Sequence, residues 1–196
     1  MLRTARTVAA IAFACLMVAP SLSAQRLLPC AHDELGVSSG SMGTADQWRA
    51  SATTTPFVIN AGCFWTSSQW GYESRIILRD ARENTDGHLM SLAVGGNALR
   101  RIGRGYGRNN VFGPYASAGF VIGLAARGYK DPATRVYGLT TGVGARIALG
   151  SYISIRPEAL VEHDFSSHGM AGTIPAVTRF ALRIGVSVLD NPDAVR

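Results

Sequence analysis

Between Tyr137 and Asp164 the chain holds two runs in which mostly apolar side chains recur at every second residue, joined at Leu149-Gly150-Ser151. In the first, Tyr137, Leu139, Thr141, Val143, Ala145, Ile147 and Leu149 share one side, with Gly138, Thr140, Gly142, Gly144, Arg146 and Ala148 opposite. In the second, Ile153, Ile155, Pro157, Ala159 and Val161 oppose Ser154, Arg156, Glu158, Leu160 and Glu162. Successive side chains of a strand point to opposite faces, so this period of two predicts a hairpin. Both runs outlast the roughly 5 to 6 residues of an ordinary strand. They also confine charge to one face, as do strands that cross a bilayer obliquely over roughly 9 to 11 residues. Pro157 has no N–H to give to a ladder, which predicts an edge or a bulge there.

The same period recurs along the chain. A short, weakly patterned strand is expected within Asp33 to Gly40, then a long polar loop through Thr55. Phe57 to Trp65 alternates Phe57, Ile59, Ala61, Cys63 and Trp65 against Val58, Asn60, Gly62 and Phe64. After a turn at Thr66 to Gly71, a strand from Tyr72 sets Ile76 and Leu78 against Glu73, Arg75, Ile77 and Arg79. A turn over Ala81 to Gly87 leads to Met90, Leu92, Val94, Gly96 and Ala98, opposed by Ser91, Ala93, Gly95 and Asn97. Beyond a basic connection at Arg100 to Asn110, Phe112 to Ala125 places Ala116, Ala118, Phe120, Ile122 and Leu124 on one face. A loop at Arg127 to Thr134, with Asp131-Pro132, precedes the hairpin described first. A further loop spans Asp164 to Pro175, and Thr178 to Leu189 alternates most cleanly: Phe180, Leu182, Ile184, Val186 and Val188 against Arg179, Ala181, Arg183, Gly185 and Ser187. A polar tail begins at about residue 190.

These runs make about eight strands, an even number that permits closure with both ends on one side. The expected fold is all-β: a closed antiparallel up-and-down transmembrane β-barrel. Loop lengths agree with short periplasmic turns at Thr66 to Gly71 and Leu149 to Ser151 and long external loops at Gly40 to Thr55 and Asp164 to Pro175. Arg100 to Asn110 is long for a periplasmic turn.

Met1 to Ala24 reads as a Sec-type signal peptide: Arg3 and Arg6 precede an apolar core at Val8 to Val18, and Ser21-Leu22-Ser23-Ala24 offers a cleavage site before Gln25. The expected mature domain is residues 25–196. No later apolar run reaches about 18 residues, so a helical span is not expected. Loss of Arg3 and Arg6 lowers the formal charge from +6 to +4. The basic residues are arginines except Lys130 and are scattered through the strands, a pattern that does not select nucleic acid. Cys15 leaves with the leader, so Cys30 and Cys63 are the mature thiols in an oxidising compartment. They are candidates for one disulfide, with two unpaired apolar thiols as the alternative.

The leader, the alternating strands and the final Arg183-Ile184-Gly185-Val186-Ser187-Val188 resemble the small eight-stranded outer-membrane barrels, the group that contains the OmpA membrane domain and OmpX. That resemblance implies a bacterial outer-membrane location, contact with outer-membrane lipid, and insertion by the barrel assembly machinery. The family's terminal signal usually ends in an aromatic residue, whereas Leu189 and Asp190 stand here.

The candidate site lies inside the barrel: Arg146, Arg156, Glu158, Glu162, Arg179 and Arg183 fall on the inward faces of three sequential strands. Charges kept from lipid must be paired or hydrated, so an interior ion network is expected. A selective pore or internal binding site is the competing reading. Barrel lipid A deacylases use a His and a Ser separated by one residue. Asp164 and Phe165 both intervene between His163 and Ser166, and Glu162 faces away from His163, so no catalytic residue is assigned there or at His168. No metal-ligand spacing or cofactor motif is present, and Gly103, Gly105 and Gly107 lack the following helix of a phosphate loop. Trp65, Trp70 and Tyr137 suit interfacial girdles. The expected function is therefore a non-enzymatic outer-membrane barrel with a structural or surface-interaction role and an unassigned external ligand. A soluble periplasmic lipocalin-like binder and a lipid A-modifying enzyme are the alternatives.

Overall fold

The computed structural model describes residues 30–49, 53–65, 69–83, 87–103, 112–127, 132–150, 152–169 and 172–189. The leader with Cys15, the tail from Asp190, and Gly105 and Gly107 lie outside the described residues, as do the side chains of Cys30 and Trp65. The elements are β1 (Cys30–Gly43), α1 (Ala45–Arg49), β2 (Phe57–Trp65), β3 (Trp70–Glu83), β4 (Gly87–Arg101), β5 (Phe112–Arg127), β6 (Thr134–Ala148), β7 (Ile153–Asp164), β8 (Ser167–Gly169), β9 (Gly172–Ile174) and β10 (Val177–Leu189). Eight of the strands close into one barrel in the order β1-β10-β7-β6-β5-β4-β3-β2. Sequence neighbours pair antiparallel all the way round, and the seam joins the first strand to the last, Val37 opposite Val186 and Gly40 opposite Arg183. This is the up-and-down closure expected from the alternation.

Closure abolishes sheet edges, so backbone groups along the wall find partners within the chain. The outward row is apolar: Leu35, Val37, Phe57, Ile59, Leu78, Val94, Phe120, Leu139, Val143, Leu182, Ile184 and Val188 are all exposed. The inward row is polar along much of its length, with Glu34, Asn60, Glu73, Arg75, Asn97, Arg156, Glu158 and Arg183 buried. Such a barrel is inverted relative to a water-soluble one. Trp70 and Tyr137 are exposed toward opposite ends, as interfacial aromatics require.

Several boundaries differ from the sequence reading. Strand β1 has 14 residues and reaches Gly43, because its inward Ser38, Gly40 and Met42 are small or apolar and hide the expected alternation. The following loop carries α1, where Thr44 Oγ1 accepts from Gln47 N at 3.3 Å and Gln47 Oε1 accepts from Thr44 N at 2.8 Å, a reciprocal capping pair. Strands β3 and β4 run on to Glu83 and from Gly87, through most of the expected turn. Strands β8 and β9 form a small separate hairpin inside the expected Asp164 to Pro175 loop. Pro157 sits in the interior of the barrel wall instead of at an edge: it pairs with Ile184 of β10, while the β6–β7 ladder lapses between Gly144 opposite Glu158 and Ile147 opposite Ile155. A residue without an N–H is tolerated because the pairs on either side hold the register.

Candidate functional site

A lumenal ion network

Because inward side chains repeat at every second residue, each strand contributes one row to the lumen, and the pairing registers set which rows meet. Eight strands leave an interior just wide enough for side chains to fill. Large groups therefore require small ones opposite. A Cβ at Gly144 of β6 would lie 2.7 Å from the Tyr115 ring and 3.1 Å from Glu158 Cγ, so this glycine makes room for both.

Glu158 is the hub. Its Oε1 accepts from Tyr115 Oη at 2.6 Å, Arg156 Nη2 at 3.0 Å and Arg75 Nη2 at 3.1 Å, and its Oε2 accepts from Arg183 Nη2 at 2.8 Å. Arg156 also donates to Tyr115 Oη at 3.0 Å and ion-pairs with Glu73 and Glu34. Arg75 pairs with Glu73, and Arg146 with Glu34. Ser187 donates to Glu34 and lies 2.8 Å from Ser154. Nearer the end that carries α1, Arg79 meets Glu162 at 2.6 Å and Asp164 at 3.8 Å, and Asp164 also accepts from Arg179.

Of the six residues placed in this interior from sequence, Arg146, Arg156, Glu158, Glu162 and Arg183 are buried, and Arg179 is half-buried at the loop end. Arg146, Arg156, Glu158 and Arg183 are joined through one carboxylate system. Glu162 and Arg179 belong to a second cluster with Arg79 and Asp164. Glu34, Glu73, Arg75, Arg79 and Asp164 join the network in the folded barrel without having been expected there. The Glu73-x-Arg75-x-x-x-Arg79 spacing carried a usable signal, since all three share one parity on β3. Glu34 lay in the least patterned strand.

Among the described residues whose side chains are exposed by less than a tenth, five arginines face five carboxylates: Arg75, Arg79, Arg146, Arg156 and Arg183 against Glu34, Glu73, Glu158, Glu162 and Asp164. The attraction of one such pair at 4 Å is about 4 kcal/mol at an effective dielectric of 20. Desolvating each ion costs several kcal/mol. The two are of similar size, so the network contributes filling and strand register more than net stability.

Apolar layers flank the hub. Phe64, Leu99 and Tyr115 pack toward the end with the β2–β3 and β6–β7 turns, and Val58, Ile77, Ala93 and Val121 pack toward the other. Two guanidinium groups also lie over the Phe64 ring, Arg146 at 4.4 Å and Arg101 at 4.5 Å from its centre. Paired charge therefore fills the middle of the lumen, with an apolar layer on either side of it.

The remaining sequence candidates are not assembled into a reactive centre. His163 Nδ1 is 2.8 Å from Thr178 Oγ1, and its ring meets Phe165 edge-on at 5.3 Å. Ser166 and His168 are exposed. Gly103 adopts φ +82°, a left-handed turn conformation suited to glycine. Among the described residues no group of three or more His, Cys, Asp or Glu is placed to hold a metal ion. Cys63 belongs to the outward row by parity yet is 1% exposed, and it is disulfide-bonded.

Similar proteins

No protein-family model matches the chain, and no curated protein matches it at a significant level. Solved structures do match. Neisserial surface protein A is similar over 80% of this chain and 95% of its own, with 12% identity and a TM-score of 0.59. A major outer membrane protein from Thermus thermophilus matches over 81% of this chain and 98% of its own, with 11% identity and a TM-score of 0.49. The outer membrane enzyme PagL matches over 79% of this chain and 98% of its own, with 11% identity and a TM-score of 0.46. Eight strands closed antiparallel, an apolar exterior and the likeness to Neisserial surface protein A together give this chain the fold of the small eight-stranded outer-membrane barrels.

Proposed function

We propose that this chain is a non-enzymatic protein of the bacterial outer membrane, a barrel closed to permeation whose loops serve a structural or surface-interaction role. One observation carries the reading: the outward wall is exposed and apolar while ten ionisable side chains, five arginines and five carboxylic acids, are enclosed with mutual partners. Hydrocarbon is the solvent that such a wall requires, and a bilayer core demands the complete backbone pairing that closure supplies. A soluble lipocalin-like binder needs the reverse, an apolar cavity and a polar outside. The leader and the Arg183 to Val188 strand support Sec-type export and insertion by the barrel assembly machinery.

Fractionation with heat-modifiable gel migration tests the reading. The expected outcome is a detergent-requiring, heat-modifiable band and no steady current in planar bilayers. Release as a detergent-free soluble protein contradicts it. The non-enzymatic part is tested by lipid A mass profiles: hosts expressing wild type or Ser166→Ala should match the empty host. Spacing supports this part of the reading, since two residues, Asp164 and Phe165, separate His163 from Ser166 and the Glu162 carboxylate is buried on the opposite face of the strand.

A further inference from the structure

The outward wall is not uniform. Over β6, β7 and β10, Thr141, Ala159 and Val161 leave a trough between Val143 and the larger Phe180 and Leu182, an apolar groove of about 820 Å³. Trp48 of α1 overhangs it, its indole Nε1–H donating to the Phe180 carbonyl at 3.1 Å. The registers fix what lies above. Val161 pairs with Phe180, and one outward level toward the loops His163 pairs with Thr178. Leu139 is level with His163, and Arg135 stands two outward levels beyond Leu139 on β6, past Tyr137.

His163, Thr178 and Arg135 are all exposed on this outer wall. Arg135 has no ion-pair or hydrogen-bond partner among the described residues. Polar and cationic groups on the lipid side of a barrel are costly unless they lie near the interface or meet a polar partner. Here they stand on the loop side of an apolar groove, His163 and Thr178 one outward level above its lining and Arg135 two levels further, within reach of one lipid headgroup and its acyl chain. Arginine and the free side of an imidazole are donors suited to phosphate oxygens.

We propose that this face holds a phosphate-bearing membrane lipid, one acyl chain in the groove beneath Trp48 and the phosphate against Arg135 and the His163–Thr178 pair. The proposal rests on the reading that this wall faces hydrocarbon. Its occupant is a lipid of the leaflet on the loop side, and the charge complementarity of Arg135 selects an anionic headgroup.

Native mass spectrometry of the detergent-solubilised full chain, titrated with phosphatidylglycerol or phosphatidylcholine of identical acyl chains, tests it. Wild type should retain phosphatidylglycerol about tenfold more strongly, the size expected for charge-assisted hydrogen bonds. The double variant Arg135→Gln, His163→Gln should abolish the preference, and Ala159→Trp, which fills the groove, should weaken both lipids. Heat-modifiable migration identifies folded variants, and Thr141→Leu replaces Ala159→Trp if the latter does not fold. Equal retention of the two lipids, a preference that survives the double variant, or a dimer of the chain in place of lipid adducts would overturn the proposal. Failure of the membrane reading itself appears separately, as solubility without detergent.

Discussion

Tyr115 of β5 donates to Glu158 of β7 at 2.6 Å, reaching over the intervening strand β6 where Gly144 supplies the space. A bond between strands that are not neighbours acts as a strut across the lumen. It fixes how β5, β6 and β7 stand relative to one another, which ladder hydrogen bonds alone do only pairwise.

Removing the hub carboxylate should therefore be costly. Glu158→Ala leaves Arg75, Arg156 and Arg183 sharing a lumen with too little negative charge, and breaking a buried pair from one side costs about 3 to 5 kcal/mol. Denaturant unfolding in detergent should show a loss of that order. Unchanged stability would remove Glu158 from its central place.

The space at Gly144 gives a second expectation. Gly144→Val places carbon where the Tyr115 ring and Glu158 already lie, and overpacking of this kind typically costs about 1 to 3 kcal/mol. Pairing with Tyr115→Ala, which empties the position, should recover part of the loss. A double variant no better than Gly144→Val alone would show that the two positions do not share one space.

The outer wall is tested by charge. Ile184→Arg, level with Pro157 in the middle of β10, should lower the stability of lipid-folded protein by about 2 to 4 kcal/mol. Tyr152→Arg, at the short β6–β7 turn, should cost much less, since the penalty falls toward the interface. Equal, small effects of both in refolding titrations into lipid vesicles would mean that this wall does not meet hydrocarbon.

Cys63 is buried and disulfide-bonded, and Cys30 is the partner proposed from sequence. Peptide mapping without reduction should recover the two cysteines in one linked pair, and iodoacetamide should label neither until a reductant is added. Labelling of Cys30 in the unreduced protein would refute the pairing.

What the chain determines locally is the face each residue takes. Phe180, Leu182 and Ile184 against Arg179, Ala181 and Arg183 already separate lipid side from lumen, because a strand's alternation needs no tertiary information. The strand count and the antiparallel closure follow from the same period and from the short turns. Strand ends are less legible: the small inward residues of β1 blur its alternation, and the β8–β9 hairpin is too brief to carry a pattern. Which charges meet was decided only by the closed barrel. Glu34 reaches Arg146 and Arg75 reaches Glu158 across a lumen between strands that are not paired with each other. Their distance depends on how the sheet staggers as it closes, a property of all eight registers together and of no single stretch of chain.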